Sequence, residues 1–226
     1  MKLPDVRSQL GEVISRAIES GLSVKQFHPS FIEHAGQQLL GHLSNTSIAL
    51  KNIKYSAIYA ELEENDQYHI KLPDGGLLVF QYAFNAGTGE LAKHRLCFFP
   101  SPKLPTMEEA PELYQDELSY ADIILERIVR FPIRFDFDRA NAKELVHPIC
   151  HLTLGQFDNC RIPVSHPVSP NTFLLFVLRN FYANALKRSS NVFARKIKRC
   201  NPALSISSPE LEIPHLRLWA RSESAS

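Results

Sequence analysis

Between Phe131 and Asp138 the chain alternates without a break. Residues 131, 133, 135 and 137 are Phe, Ile, Phe and Phe, and the interleaved Arg134, Asp136 and Asp138 are all charged. Successive side chains of a strand point to opposite faces, so this segment needs a sheet with one solid apolar face and one charged face. His147 to Leu154 repeats the pattern: Cys150, Leu152 and Leu154 alternate with His147, His151 and Thr153. Pairing the two as an antiparallel hairpin across a 139–146 loop sets Asp138 opposite His147 and Arg134 opposite His151. Opposed Cβ atoms lie about 5 Å apart. Arg134, Asp136, Asp138, His147, His151 and Thr153 then share one polar patch.

The surrounding chain reads as an antiparallel meander and hairpin sheet packed with N-terminal and C-terminal helices, an α+β fold. Pro4-Asp5 opens an amphipathic helix with Leu10, Val13, Ile14, Ala17 and Ile18 at helical spacing, stopped by Gly21. A second helix is expected from Pro29 to Leu43, with His28, His34 and His42 as surface or packing residues. Tyr68–Leu72, the turn Pro73-Asp74-Gly75-Gly76, Leu77–Phe84 and Leu91–Phe99 predict a three-stranded meander. Gly87-Thr-Gly89 lies between strands and so serves a turn, not a phosphate cradle. A proline-marked loop then leads to an acidic segment, expected to be helical from Tyr114 to Arg130.

Ser169-Pro170 is a helix start. The helix should run to about Lys187, burying Phe173, Phe176, Val177, Phe181 and Tyr182 and presenting Arg179, Asn180, Lys187 and Arg188 on its other side. Leu211 to Trp219 reads as a terminal strand. The whole is expected to be one α+β domain over 1–220 with a disordered 221–226 tail.

Totals narrow the class without naming a partner. A chain of 226 residues buries about 70% of its unfolded surface and needs no staple. Cys97, Cys150, Cys160 and Cys200 show neither a disulfide framework nor zinc spacing. The opening Met1-Lys-Leu-Pro-Asp lacks the apolar run of a signal peptide, and no window reaches about 18 apolar residues, so a cytoplasmic setting away from membranes is expected. Net charge is +1, yet no Asp or Glu occurs from Asn159 to Pro209, a stretch that carries Arg161, Arg179, Lys187, Arg188, Arg195, Lys196, Lys198 and Arg199. Glu108–Glu126 is correspondingly acidic. The two stretches either face each other or are solvated, or the basic one is a surface for phosphate-bearing ligands.

The polar patch has the residue types of acid–base chemistry. Histidine titrates near neutrality, a carboxylate beside it sets its tautomer, and arginine steadies anionic oxygens. His147 and His151 are the candidate acid/base pair, oriented by Asp136 and Asp138, with Arg134 beside them. Arg161, Arg179, Asn180 and Thr153 are candidate substrate contacts. This set suits cleavage of RNA through its 2′-hydroxyl without metal or cofactor. The same carboxylates and imidazoles would also serve a divalent ion, which Arg134 would repel. They are equally compatible with structural Asp138–His147 and Arg134–Asp136 pairs. His151-Leu-Thr-Leu is a single copy of the His-x-Thr-x element, of which two-histidine phosphoesterases need two.

Arg134-Phe-Asp136, His147-Pro-x-x-His151-Leu-Thr-Leu-Gly155, Cys160-Arg161-Ile-Pro163-Val, Pro167, Pro170, Phe173 and Leu178-Arg179-Asn180-Phe181-Tyr182 together resemble the prokaryotic domain-of-unknown-function-2290 family, over roughly residues 120–190. The resemblance implies no established activity. It implies that Arg134, Asp136, His147, His151, Arg161 and Arg179 belong to the family signature. The Arg-x-Asp…His-Pro-x-x-His pattern also looks like small toxins of toxin–antitoxin loci. Two functional readings follow: a nucleic-acid-directed hydrolase, a metal-independent RNase of toxin or phage-defence type, or a non-catalytic accessory subunit. The partners expected are RNA or another nucleic acid, or an antitoxin or defence-system protein.

Overall fold

A computed structural model describes residues 1–43, 53–103, 108, 111–115, 131–157 and 159–217. Among them, nine strands form one antiparallel sheet. β1 (Lys25–Gln26), β4 (Ile70–Lys71), β5 (Leu77–Asn85), β6 (Leu91–Phe99), β7 (Ile133–Asp138), β8 (Cys150–Leu154) and β9 (Ile162–Pro163) lie side by side in that order, and β2 (Phe31–His34) with β3 (Gln37–Leu40) joins the edge of β5.

The alternation read from Phe131 onward places the helices. Phe80, Leu96, Phe135 and Leu152 stand in one row across β5 to β8. That face is covered by α1 (Leu3–Glu19) and α4 (Pro170–Phe181), whose Phe173 meets Phe80 and Phe135 edge-on at 5.4 and 6.0 Å. The opposite face is divided. Leu77, Val79, Cys97 and Phe99 pack under Ile58, Tyr59 and Leu62 of α2 (Tyr55–Glu64). Beside them Gln81, Lys93, Arg95, Arg134, Asp136 and Asp138 replace apolar side chains at the same alternating positions. Where this face changes from apolar to charged, Asp136, Asp138, His151 and Thr153 stay buried, so polar groups take the place of apolar packing there.

The meander over 68–99 and the helix start at Ser169 form as expected: the Ser169 hydroxyl accepts from the Thr172 N–H at 3.3 Å. Three expectations fail. The segment Pro29–Leu43 is the β2–β3 hairpin, not a helix, because Ala35 and Gly36 take φ of 49° and 75° and make a two-residue primed turn. The helix after Ser169 does not run to Lys187. It breaks at Tyr182, which adopts φ −134° while its hydroxyl donates to the buried Asp74 at 2.7 Å, and restarts as α5 (Ala183–Arg188). The terminal strand is absent through 217: residues 208–211 wind into a short helix in which Glu210 Oε2 accepts from the Ser207 N–H at 2.9 Å, and Leu216 makes a lone bridge to Val164. Ile18, at the end of the expected apolar stripe, is 44% exposed. Of the helix expected from Tyr114 to Arg130, only Tyr114 and Gln115 are described, as the end of α3 (Pro111–Gln115); the rest of the acidic segment apart from Glu108 and Glu112, and the 221–226 tail, lie outside the described residues.

Candidate active site

The charged half of the sheet face is built on register. Asp136 stands opposite His151, Arg134 opposite Thr153 and Arg95 opposite Asp136. The histidine strand is therefore offset by two residues from the symmetric hairpin expected, which paired Arg134 with His151. A shift of two keeps the same side chains on the same face. Its cause is the connecting loop. Lys143 and His147 exchange backbone hydrogen bonds at 2.9 and 2.6 Å around a tip where Leu145 has φ 61°, and Pro148 has no N–H for a ladder. Pairing resumes only where the Asp138 N–H donates to the Ile149 carbonyl at 2.9 Å.

Asp138 consequently serves the loop and does not pair with His147. Its Oδ1 accepts from the Ala140 and Asn141 N–H groups at 3.1 and 3.3 Å, and its Oδ2 from Asn141 Nδ2 at 2.9 Å and Lys93 Nζ at 2.8 Å. Burial raises its pKa, but the Lys93 and Asn141 bonds outweigh this and hold it below the usual carboxylate range.

Asp136 is buried and grips two guanidinia. Arg95 Nε donates to Oδ1 at 3.1 Å, and Arg134 Nε donates to Oδ2. Burial raises the Asp136 pKa, yet Arg134 and then Arg95 bring the balance below the ordinary value, so it is ionised at neutral pH. With both oxygens engaged by cations, Asp136 is a poor metal ligand, and among the described residues no three His, Cys, Asp or Glu side chains converge as a metal site.

The two histidines come together despite the changed register. Their ring centroids are 4.8 Å apart at 69°. His151 Nδ1 lies 2.9 Å from the Pro148 carbonyl, which can only accept, so the neutral ring carries its hydrogen on Nδ1. Nε2 keeps its lone pair, 3.8 Å from Asp136 Oδ2. Burial pushes the His151 pKa down, and His147 and Arg134 add to this against the Pro148 carbonyl and Asp136. The ring is neutral at pH 7. His147 Nδ1 and Thr153 Oγ1 are both buried without a hydrogen-bond partner, an arrangement that native interiors avoid unless a water or ligand completes it.

The structure thus brings Arg134, Asp136, His147, His151 and Thr153 into one cluster, with Asp138 at its border. Arg161 flanks it: one residue before β9, it extends Nη1 to the Val146 carbonyl at 3.5 Å. Arg179 and Asn180 do not belong. They are exposed on α4, which covers the other face of the sheet, and Asn180 Nδ2 donates to the Phe176 carbonyl at 2.7 Å. Arg179 follows Phe176, Val177 and Leu178 because a helix turns 100° per residue, which carries position 179 outward.

Lys93 and Arg95 were missed by the sequence reading. The signal was present: Lys93, Arg95, Cys97 and Phe99 alternate with His94, Leu96 and Phe98, so β6 carries the same charged-to-apolar change on one face. His94 itself points to the other face, where its Nε2 accepts from the Val168 N–H at 2.9 Å.

A family model described as an uncharacterized conserved protein, DUF2290, matches residues 22–218. No curated protein and no solved structure matches the chain.

Proposed function

The chain belongs to the DUF2290 family of uncharacterised conserved proteins, and on that premise we propose that it is a nucleic-acid-directed hydrolase, an RNase of toxin or phage-defence type that works without a metal. One observation carries the reading: the His147–His151 pair, with the His151 tautomer set by Pro148 and its Nε2 lone pair beside Arg134 and Asp136. His151 Nε2 removes the proton of the 2′-hydroxyl as that oxygen attacks phosphorus. His147 delivers a proton to the 5′-oxygen as the P–O5′ bond breaks, leaving a 2′,3′-cyclic phosphate. Arg134, with Arg161 at the rim, balances the charge on the non-bridging oxygens, and the Thr153 hydroxyl supplies a further donor. Asp136 positions Arg134 and takes no part in proton transfer. The toxin or defence setting draws only on the short Arg-x-Asp…His-Pro-x-x-His likeness.

The second reading is a non-catalytic accessory subunit that binds nucleic acid or a protein such as an antitoxin. The 2% exposure of His151 favours it, because a base must be reached by its substrate.

His151→Ala separates the two. As a hydrolase, the variant loses turnover of single-stranded RNA while its unfolding free energy stays within about 1–2 kcal/mol of wild type. Its RNA affinity is retained, since lysine and arginine supply that. Because the His151 pKa lies below the ordinary histidine value, the acid limb of the rate profile also falls below that of a free imidazole. Wild-type protein that binds RNA and never cleaves it rejects the hydrolase in favour of the subunit.

A further inference from the structure

Asp136 is bound by arginine on both sides, and what those arginines leave unused is informative. Each guanidinium reaches Asp136 through Nε, Arg95 from β6 and Arg134 from β7. Among the described residues no Nη group of either donates to the protein. The side chains of Arg95 and Arg134 are 19% and 18% exposed, so they are held in place without being sealed off. Arg95 also faces a groove of about 140 Å³ whose lining includes Leu39, His42, Gln81 and Lys93. The adjacent Thr153 hydroxyl is buried, 4% exposed, and unpartnered. Lys93 is half-exposed and its one carboxylate partner, Asp138, is already shared with the 139–141 loop.

We propose that Arg95 is a substrate-binding residue that forms, with Arg134, a two-arginine clamp for a phosphate, hung on the two oxygens of Asp136. The inference deepens the hydrolase reading, and rests on it for the identity of the ligand as a polynucleotide. Its physical basis is pre-organisation. A guanidinium is planar and presents its N–H groups as a fork that matches phosphate oxygens. Anchoring each fork by Nε on one ionised carboxylate removes the side-chain entropy that a free arginine loses on binding. The cluster Lys93, Arg95, Arg134, Asp136 and Asp138 carries one net positive charge, and Arg161 makes it two. A phosphate seated on the Nη groups lies beside His151, since Asp136 separates the clamp from that ring by one strand, about 5 Å. The groove toward Gln81 and His42 then takes the neighbouring nucleotide, which selects a chain over a mononucleotide.

The test uses full-length protein and a fluorescein-labelled single-stranded oligoribonucleotide, read by anisotropy across a salt series, with inorganic phosphate as competitor. Arg95→Gln weakens binding about ten-fold, the loss of one charge-assisted contact. It lowers the slope of log affinity against log salt by about 0.7. Arg95→Lys keeps the slope, but without the planar fork it stays below wild-type affinity. Inorganic phosphate competes with wild type and less well with Arg95→Gln. Arg95→Gln with wild-type affinity and slope overturns the clamp, and so does a wild-type protein that binds neither oligonucleotide nor phosphate. If Arg95→Gln does not fold, Arg95→Lys decides, and full affinity there overturns it. Binding that depends on Arg95 without any cleavage refutes the hydrolase and leaves the clamp standing. Cleavage indifferent to Arg95 does the reverse.

Discussion

Three buried side chains, His69, His94 and Asp74, show how strongly single residues here depend on protonation. His69 Nδ1 accepts from the Phe80 N–H at 3.1 Å, filling the gap on the edge of β5 between β4 and β3. His94 Nε2 accepts from Val168. Both roles require a bare nitrogen, and burial pushes both rings down to about 4. A histidine with a depressed native pKa takes up protons first in the unfolded chain. Its contribution is therefore complete above about 6.5 and is lost as pH falls toward 4, on the order of 3 kcal/mol per ring. Asp74 works in the opposite direction: fully buried, with no cation among its partners, its pKa is raised by desolvation, so acid relieves it. Denaturant unfolding of wild type between pH 7 and pH 4.5 should show the net loss. His69→Asn, which keeps an acceptor for Phe80 but does not titrate, should lose the His69 share of that slope and keep the share of His94 and His151. An unchanged slope in the variant would remove His69 as the cause.

At the scale of elements, β2 is held by its turn and its pairing with β3 rather than by burial, since all four of its residues are exposed, while β3 is anchored on β5 and by the buried Leu40. Ala35 sits at φ 49°, where an L-residue costs about 1–2 kcal/mol. Ala35→Asn creates the Asn-Gly pair that such turns prefer, and should raise the unfolding free energy by roughly 0.5–1 kcal/mol, measured by denaturant titration. Gly41 just beyond β3 is the converse: an added Cβ would lie 2.0 Å from the Phe80 carbonyl, so Gly41→Ala should detach the hairpin. These same features explain what the sequence disclosed. Phe131–Asp138 was legible because burial on one face writes itself as alternation, and Ser169-Pro170 because a cap is a local hydrogen bond. Pro29–Leu43 was misread because an exposed hairpin leaves no apolar period, and Ala-Gly is a weak turn signal beside Asn-Gly. The site's face was legible and its register was not: whether Asp138 pairs with His147 or with Lys93 depends on how a loop closes and on a residue 45 positions earlier in the chain. Long-range partners such as Arg95 are set by strand order, which periodicity does not encode.

Across the whole molecule, positive charge occurs on both sides of the sheet, and the two functional readings divide along that line. Much of the basic run after Ser189 is bound to α1. Arg16 Nη2 donates to the Arg195 and Lys196 carbonyls at 2.9 and 2.8 Å, Gln9 Nε2 donates to the Lys198 carbonyl at 2.6 Å, Arg195 pairs with Glu19, and Lys198 pairs with Asp5 at 3.2 Å. What the helical side offers instead is a groove of about 360 Å³ between α4 and α5, lined by Leu175, Arg179, Lys187 and Phe193. The sheet site lies beyond α4 and the sheet itself, more than one helix diameter of about 10 Å away. That exceeds the Debye length at physiological salt, about 8 Å, so charge on one side barely acts on the other. Neutralising the helical groove with Arg179→Gln and Lys187→Gln should therefore leave oligoribonucleotide affinity, its salt slope and any cleavage as in wild type. Arg134→Gln should reduce all three. Were the helical pair to abolish binding while Arg134→Gln left it intact, the ligand would sit on the helices, and the chain would be a binding subunit whose histidine pair is part of its framework.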